Sequence, residues 1–323
     1  MPIHNLGYRT WTGETKSAGS RWLVIAEIGI RRAWQSPWLR RMMFFAWVPS
    51  LFFGLFVFIF EQMEQNREQH DSRALVFLAE RFLAARPDVG TLIPEIRRIF
   101  STEGTSDERR HLIWSMLLLG LFRRSQPFIL IPVLGVIAPP LISQDFRSRA
   151  FLIYFSRPLS KIQYILGKGA TLMFFLTLIT FLPAVLLFTF GVLLSPDLSV
   201  LKSTWDFPLR ILVVSLAISI PSTSLALMMS SLTSESRFAS FGWMSVWIFG
   251  FIAYQSVSEF SVPGATSMIQ CLSLYHLFSD VAGWMLDPRL GITGIQERLI
   301  LLTFMTAISL TVVYRRVSAP MEI

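Results

Sequence analysis

The chain has 323 residues, 53% of them hydrophobic and only 15% charged, with a mean hydropathy of +0.53. A soluble domain carries about 25% charged residues, so lipid is the main solvent expected here. The formal charge of +8 collects in particular loops, which ties it to membrane topology rather than to nucleic acid, and the single cysteine, Cys271, excludes a disulfide framework or a multi-cysteine metal site.

The first 20 residues, MPIHNLGYRTWTGETKSAGS, are polar. No cleavable signal peptide is expected, because the first apolar run starts too late and is too long. Residues 20–36, SRWLVIAEIGIRRAWQS, read as an amphipathic helix lying in the headgroup region. Leu23, Ala26, Ile30 and Ala33 fall at helical spacing, Glu27 and Arg31 form an i,i+4 pair, and Trp22, Trp34 and Trp38 suit the interface. Pro37 ends this helix. An ordinary extension of the first span is the competing reading.

A membrane-crossing helix needs roughly 20 mostly apolar residues. Six candidates follow in order: 42–60, 127–143, 170–195, 211–233, 238–257 and 299–314. None contains Asp, Glu, Lys, Arg or His. Between the first two, residues 61–126 show helical periodicity in DSRALVFLAERFLAA and IPEIRRIF, and Thr105 with Glu108 matches a capping box before HLIWSMLLLGLF. That twelve-residue run is too short to cross alone, so it either lies along the outer leaflet or extends the second span. The 61–126 segment is expected to form an external helical cap.

Basic residues orient the chain. Residues 1–41 hold seven Lys/Arg against two acids, loop 144–169 holds five against one, and the 315–323 tail adds Arg315 and Arg316. Residues 61–126 are balanced at ten of each sign, 196–210 at two of each, and 258–298 carry two basic against four acidic. Positive-inside asymmetry therefore puts both termini and loop 144–169 in the cytoplasm. Arg123 and Arg124 fall on the wrong side of this scheme, which long loops tolerate. With both ends of 258–298 outside, its apolar stretch MIQCLSLYHLFSDVAGWML, between Pro263 and Pro288, reads as re-entrant helices that dip into the outer leaflet. A seventh full span competes, but it would put Arg315 and Arg316 outside.

No catalytic set stands out. His4, His70, His111 and His276 include no pair at metal-ligand spacing, and five residues separate Cys271 from His276, a poor alignment on a helix. No GxxxxGK[ST] sequence occurs, so ATP is not expected to bind through a P-loop of this chain. The charge-free spans argue against a proton-coupled carrier, which needs ionisable groups in the membrane. The hydroxyl-rich ISIPSTSLALMMSSLT, residues 218–233, suits close helix packing, or else a pathway wall for amphiphilic cargo.

Loop 144–169 mixes charge with grease. Arg147, Arg149, Arg157 and Lys161 surround Phe146, Phe151, Leu152, Tyr154 and Phe155, and Pro158 ends the helix they form. Such a helix either lies on anionic headgroups or inserts into a cleft of a soluble partner. With the interfacial helix and six spans, LISQDFRSRAFLIYFSRPLSKIQYILGKG is similar to the ABC-2 type permease subunits of ATP-binding-cassette transporters. In that family an acid follows the second span, then come a coupling helix, a serine/arginine–proline element, an aromatic step and a Gly-Lys. Asp145, Ser156-Arg157-Pro158, Tyr164 and Gly167-Lys168 match that order. The SSLTSESRFAS junction, residues 230–240, and the region before the last span are similar too. The chain departs at Ser148-Arg149-Ala150, and its 61–126 loop is longer than in the simplest members.

The resemblance implies an all-α integral membrane protein with six transmembrane helices, an N-terminal interfacial helix, a cytoplasmic coupling helix and outer re-entrant helices. It implies an exporter of hydrophobic or amphiphilic cargo, dimeric with an identical or different permease chain, in a bacterial inner membrane. A separate cytoplasmic ATPase would drive it through Asp145, Phe146, Arg149, Phe151, Phe155, Arg157, Pro158 and Lys161. No cofactor, metal or nucleic-acid partner is expected. A polytopic membrane enzyme or assembly factor is the alternative, and His276, Asp280 and Glu259 are its candidate residues.

Overall fold

The computed structural model describes residues 18–65, 105–150, 154, 159–196, 200–259, 273–287 and 294–318. These form α1 (Arg21–Trp34), α2 (Pro37–Gln65), α3 (Ser106–Gly120), a π-helical turn (Leu121–Ser125), α4 (Gln126–Ile137) and α5 (Pro139–Arg147). They continue with α6 (Lys161–Ile179), α7 (Phe181–Leu194), α8 (Val200–Ser203), α9 (Asp206–Leu232), α10 (Ser236–Glu259), α11 (Leu274–Leu286) and α12 (Ile295–Ser318). No strand occurs among the described residues.

Five helical stretches are long and apolar enough to cross a membrane: Pro37–Gln65, Ser106–Arg147, Lys161–Leu194, Asp206–Leu232 and Ile295–Ser318. They contain five of the six expected spans. The remaining one, 238–257, lies in α10, which has 24 residues. Trp243, Trp247, Tyr254 and several serines make α10 less apolar than the others. The second stretch resolves what HLIWSMLLLGLF does, because α3 runs through the π turn into α4 and extends the second span. Thr105 caps α3 as its spacing predicts, with its side chain accepting from the Glu108 amide and Glu108 returning to the Thr105 amide. In the third stretch the helix breaks at Thr180, three residues before Pro183, which cannot donate to Ile179 and whose ring crowds that carbonyl.

α9 is the central helix, touching α5, α6, α7, α10, α11 and α12. In its apolar window 67% of the residues are buried, against 22% for the peripheral α12. Its hydroxyls mostly serve packing. Ser222, Ser224 and Ser231 donate to carbonyls of their own helix at 2.7–2.9 Å, which satisfies them without water.

The end of the bundle where α3 begins is tied by buried ion pairs. Arg110 meets Glu61 at 3.1 Å, and Arg109 Nε meets Glu64 at 3.0 Å, so the ends of α2 and α3 lie side by side. Arg123, an exception to the charge rule in the sequence, is buried at 8% exposure. It reaches Asp280 of α11 at 3.3 Å and Ser279 Oγ at 3.1 Å. Arg298 of α12 approaches the other Asp280 oxygen at 3.5 Å.

Candidate functional site

At the opposite end of the bundle the chain makes an elbow, where α5 stops and α6 begins. The bend starts at Pro139 and Pro140. Lacking an N–H, Pro139 leaves the Gly135 carbonyl without its helical donor, and Ser240 Oγ of α10 fills the place at 3.1 Å. Gly135 itself permits that approach, since a Cβ there would lie 2.9 Å from Met244 Cε. The Pro139 carbonyl in turn accepts from Ser143 Oγ and from Ser230 Oγ of α9, the latter at 2.6 Å. Ser230 also accepts from the amides of Ile142 and Ser143 at 3.0 and 3.2 Å, while Ser143 and Ser236 hydroxyls sit 2.8 Å apart. Arg147 reaches Glu235 at 3.2 Å. The SSLTSES junction thus grips α5 along its whole length.

Past α5, Arg149 takes φ 54°, the left-handed conformation usually given to glycine just beyond a helix. The chain re-enters a helix at Ser160, whose side chain accepts from the Gln163 amide while Gln163 returns to the Ser160 amide. That cap fixes where α6 starts, and the spacing Tyr164-x-x-x-Lys168 puts both side chains on one helix face.

The two meet one buried carboxylate. Tyr164 Oη donates to Asp145 Oδ2 at 2.7 Å, and Lys168 Nζ lies 2.7 Å from the same oxygen. Exposure is 6% for Asp145, 2% for Tyr164 and 8% for Lys168, so the triad is buried. The Lys168 ammonium also sits 5.4 Å from the centre of the Tyr164 ring. Tyr154 packs on Tyr164 with ring centres 5.8 Å apart. Burial, and then the Asp145 charge, push the Tyr154 hydroxyl above its ordinary range, so it stays neutral and can only donate or accept a hydrogen bond.

Gly167, beside Lys168, brings α1 against this triad. A Cβ at Gly167 would lie 2.7 Å from Ile25 Cβ and 2.8 Å from the Trp22 carbonyl, and one at Gly29 would strike the Thr171 side chain. Thr171 donates to the Ala26 carbonyl at 3.4 Å across this contact. Trp34 stacks on Phe175 at 5.8 Å, and Arg32 donates to Gln144. The Gly167-Lys168 pair therefore has two jobs: its glycine admits the surface helix, and its lysine fastens α5 to α6.

The expected site residues divide. Asp145 is buried, with its carboxylate engaged inside the chain. Phe146 is half-buried against the core. Arg149 is exposed, and Lys161 is partly exposed at the first turn of α6. Phe151, Phe155, Arg157 and Pro158 lie outside the described residues. Sequence reasoning missed Gln144, Ser230 and Arg32 as partners of the elbow, and it took Lys168 as a motif position without its ion pair. A lone acid and a lone lysine at the facing ends of two apolar runs is the signal that pairs them.

The alternative candidates have other duties. His276 Nδ1 is 2.8 Å from Ser273 Oγ, and its ring packs on Tyr254 and Phe251. Asp280 is shared by two arginines. Of Glu259 only the helical backbone is described, and Cys271, His4 and His70 lie outside the described residues. A family model described as ABC-2 family transporter protein matches residues 39–316. No curated protein matches the chain.

Proposed function

The chain belongs to the ABC-2 transporter family, and we propose that it serves there as an exporting permease subunit driven through its elbow by a separate ATPase. It is an integral membrane protein. Membership in the family supports a permease role and association with an ABC ATPase. The observation that carries the finer reading is the elbow's construction. Its inner face is tied to α6 by the Asp145 triad, to α9 by Ser230, to α10 by Ser236 and to α1 by the Arg32–Gln144 bond, so a push on the loop after α5 is passed to the spans rather than absorbed.

Under this reading the elbow faces the cytoplasm, with both termini, as the basic residues at 1–41, 144–169 and 315–323 favour. α10 is the fifth of six spans, and α11 is part of a re-entrant region on the outer side. Arg149, Phe151, Phe155, Arg157, Pro158 and Lys161 form the docking surface of the ATPase, with Phe146 behind them. Asp145 acts as a strut that holds that surface. Two permease chains pair, in a bacterial inner membrane, and the charge-free apolar walls suit a hydrophobic or amphiphilic cargo.

Co-purification in mild detergent tests this. Phe151→Asp and Arg157→Glu are expected to lose the ATPase while the chain still accumulates in the membrane. Retention of the ATPase and of transport in both variants would contradict the docking surface.

A further inference from the structure

A cavity of ≈ 280 Å³ lies between α1, the α4–α5 bend and α6. Its polar end is made by Arg32, Gln144, Asp145 and Lys168, and its apolar end by residues that include Ile28 and Val136. With the elbow read as cytoplasmic, Val136 lies on the bilayer side of Asp145. Val136 precedes Asp145 by nine residues, about 13 Å along the helical path through the bend at 1.5 Å per residue. Trp34 and Trp38, close to Arg32 in the chain, are exposed, and tryptophan favours headgroup level. Charge inside the cavity is unequal. Lys168 is matched by Asp145, whereas Arg32 is bonded to the neutral Gln144 and has no ion pair among the described residues.

We propose that this cavity is a binding site for an anionic phospholipid of the inner leaflet. Its phosphate is held by Arg32, and its first acyl carbons lie along Ile28 and Val136. A polar base with one excess positive charge under an apolar roof has the shape and sign of that molecule in its normal orientation. The volume takes a headgroup and the start of the chains, at roughly 30 Å³ per water-sized group. The lipid would wedge between the surface helix and the elbow, so that the membrane's anionic content tunes how firmly α1 rests on α5. This goes beyond the permease reading and needs no ATPase, but it rests on the cytoplasmic placement of the elbow proposed above.

Photo-cross-linking of the purified chain in phosphatidylcholine nanodiscs tests it. The probe is a phosphatidylglycerol carrying a diazirine near its glycerol, and the adducts are mapped by mass spectrometry. Adducts are expected in peptides covering 21–36 and 126–147. Labelling should fall about fivefold in Arg32→Gln, survive in Arg32→Lys, and be unchanged in the control Arg315→Gln. Excess glycerol 3-phosphate should not compete. Equal labelling by a phosphatidylcholine probe, full labelling of Arg32→Gln, or adducts only elsewhere on the chain would overturn the proposal. Complete competition by glycerol 3-phosphate would assign the cavity to a soluble phosphate ligand instead. Loss of the ATPase contact with lipid labelling intact would leave this site standing and remove only the docking surface.

Discussion

At the far end of the bundle Asp280 lies between Arg123 and Arg298, and Glu64 and Glu61 face Arg109 and Arg110. At the elbow a single carboxylate, Asp145, serves both Tyr164 and Lys168. Both ends bury charge, and the apolar middle of the bundle separates them. The far end uses several arginine–carboxylate pairs over four helices, a redundant clamp. The elbow uses one buried ion pair, one exposed pair and neutral hydroxyl contacts beside a cavity, an arrangement with fewer buried charges. The comparison teaches where movement is cheapest: the elbow end can shift α1 against α5 by giving up one contact, whereas the far end must break several together.

Substitutions can break this contrast. Asp280→Ala strands two buried arginines and should cost about 3–5 kcal/mol, read as a large drop in the melting temperature of the detergent-solubilised chain. Asp145→Ala strands Lys168 at a similar cost. Here the triad can be replaced: Asp145→Leu with Lys168→Met and Tyr164→Phe should recover most of the stability, because apolar groups of similar volume avoid the cost of burying charge and leave no hydroxyl unpaired. If the triple variant melts as low as Asp145→Ala, the ion pair is not what Asp145 contributes.

Gly167→Val comes next. Its side chain would overlap Ile25 and the Trp22 carbonyl, so about 1–3 kcal/mol of overpacking is expected. The sharper readout is α1 itself: limited proteolysis should cut within 21–36 in this variant and spare the parent chain. Equal resistance would mean that α1 does not depend on that contact. Arg149→Gly should raise stability by about 1 kcal/mol, since glycine adopts φ 54° without strain. The same change should weaken ATPase association, separating the residue's backbone cost from its side-chain duty. Smallest is Arg147→Ala. Its pair with Glu235 is largely solvent-exposed, so solvent screening leaves it under about 1 kcal/mol, and no measurable melting change is expected.

Much of this architecture was legible in the residues. The Thr105–Glu108 capping box, the Glu27–Arg31 pair at 2.6 Å and the apolar cores of five crossing helices follow from spacing and hydropathy, which are local properties. The elbow's position was legible from its mixture of basic and aromatic residues. Its wiring was not. Asp145 and Lys168 stand 23 residues apart across a turn, and Ser230 stands 91 residues from Pro139, so no periodicity links them. Asp145 looked like a contact for a partner because an acid at the edge of a span is usually solvated. Only the fold shows a tyrosine and a lysine already on it. The partner of Arg123 was hidden for the same reason, because its carboxylate lies 157 residues away.

The claim that energy enters through the elbow from a separate ATPase can be tested with one engineered cysteine. With Cys271→Ser removing the native thiol, Ser148→Cys places a lone reactive group on the exposed turn that ends α5, beside the docking residues rather than among them. In intact cells, a short bifunctional thiol-to-amine cross-linker should join it to a P-loop ATPase, and membrane-impermeant maleimide should fail to reach it from outside. Ready labelling from the exterior, with no ATPase adduct, would contradict the mechanism.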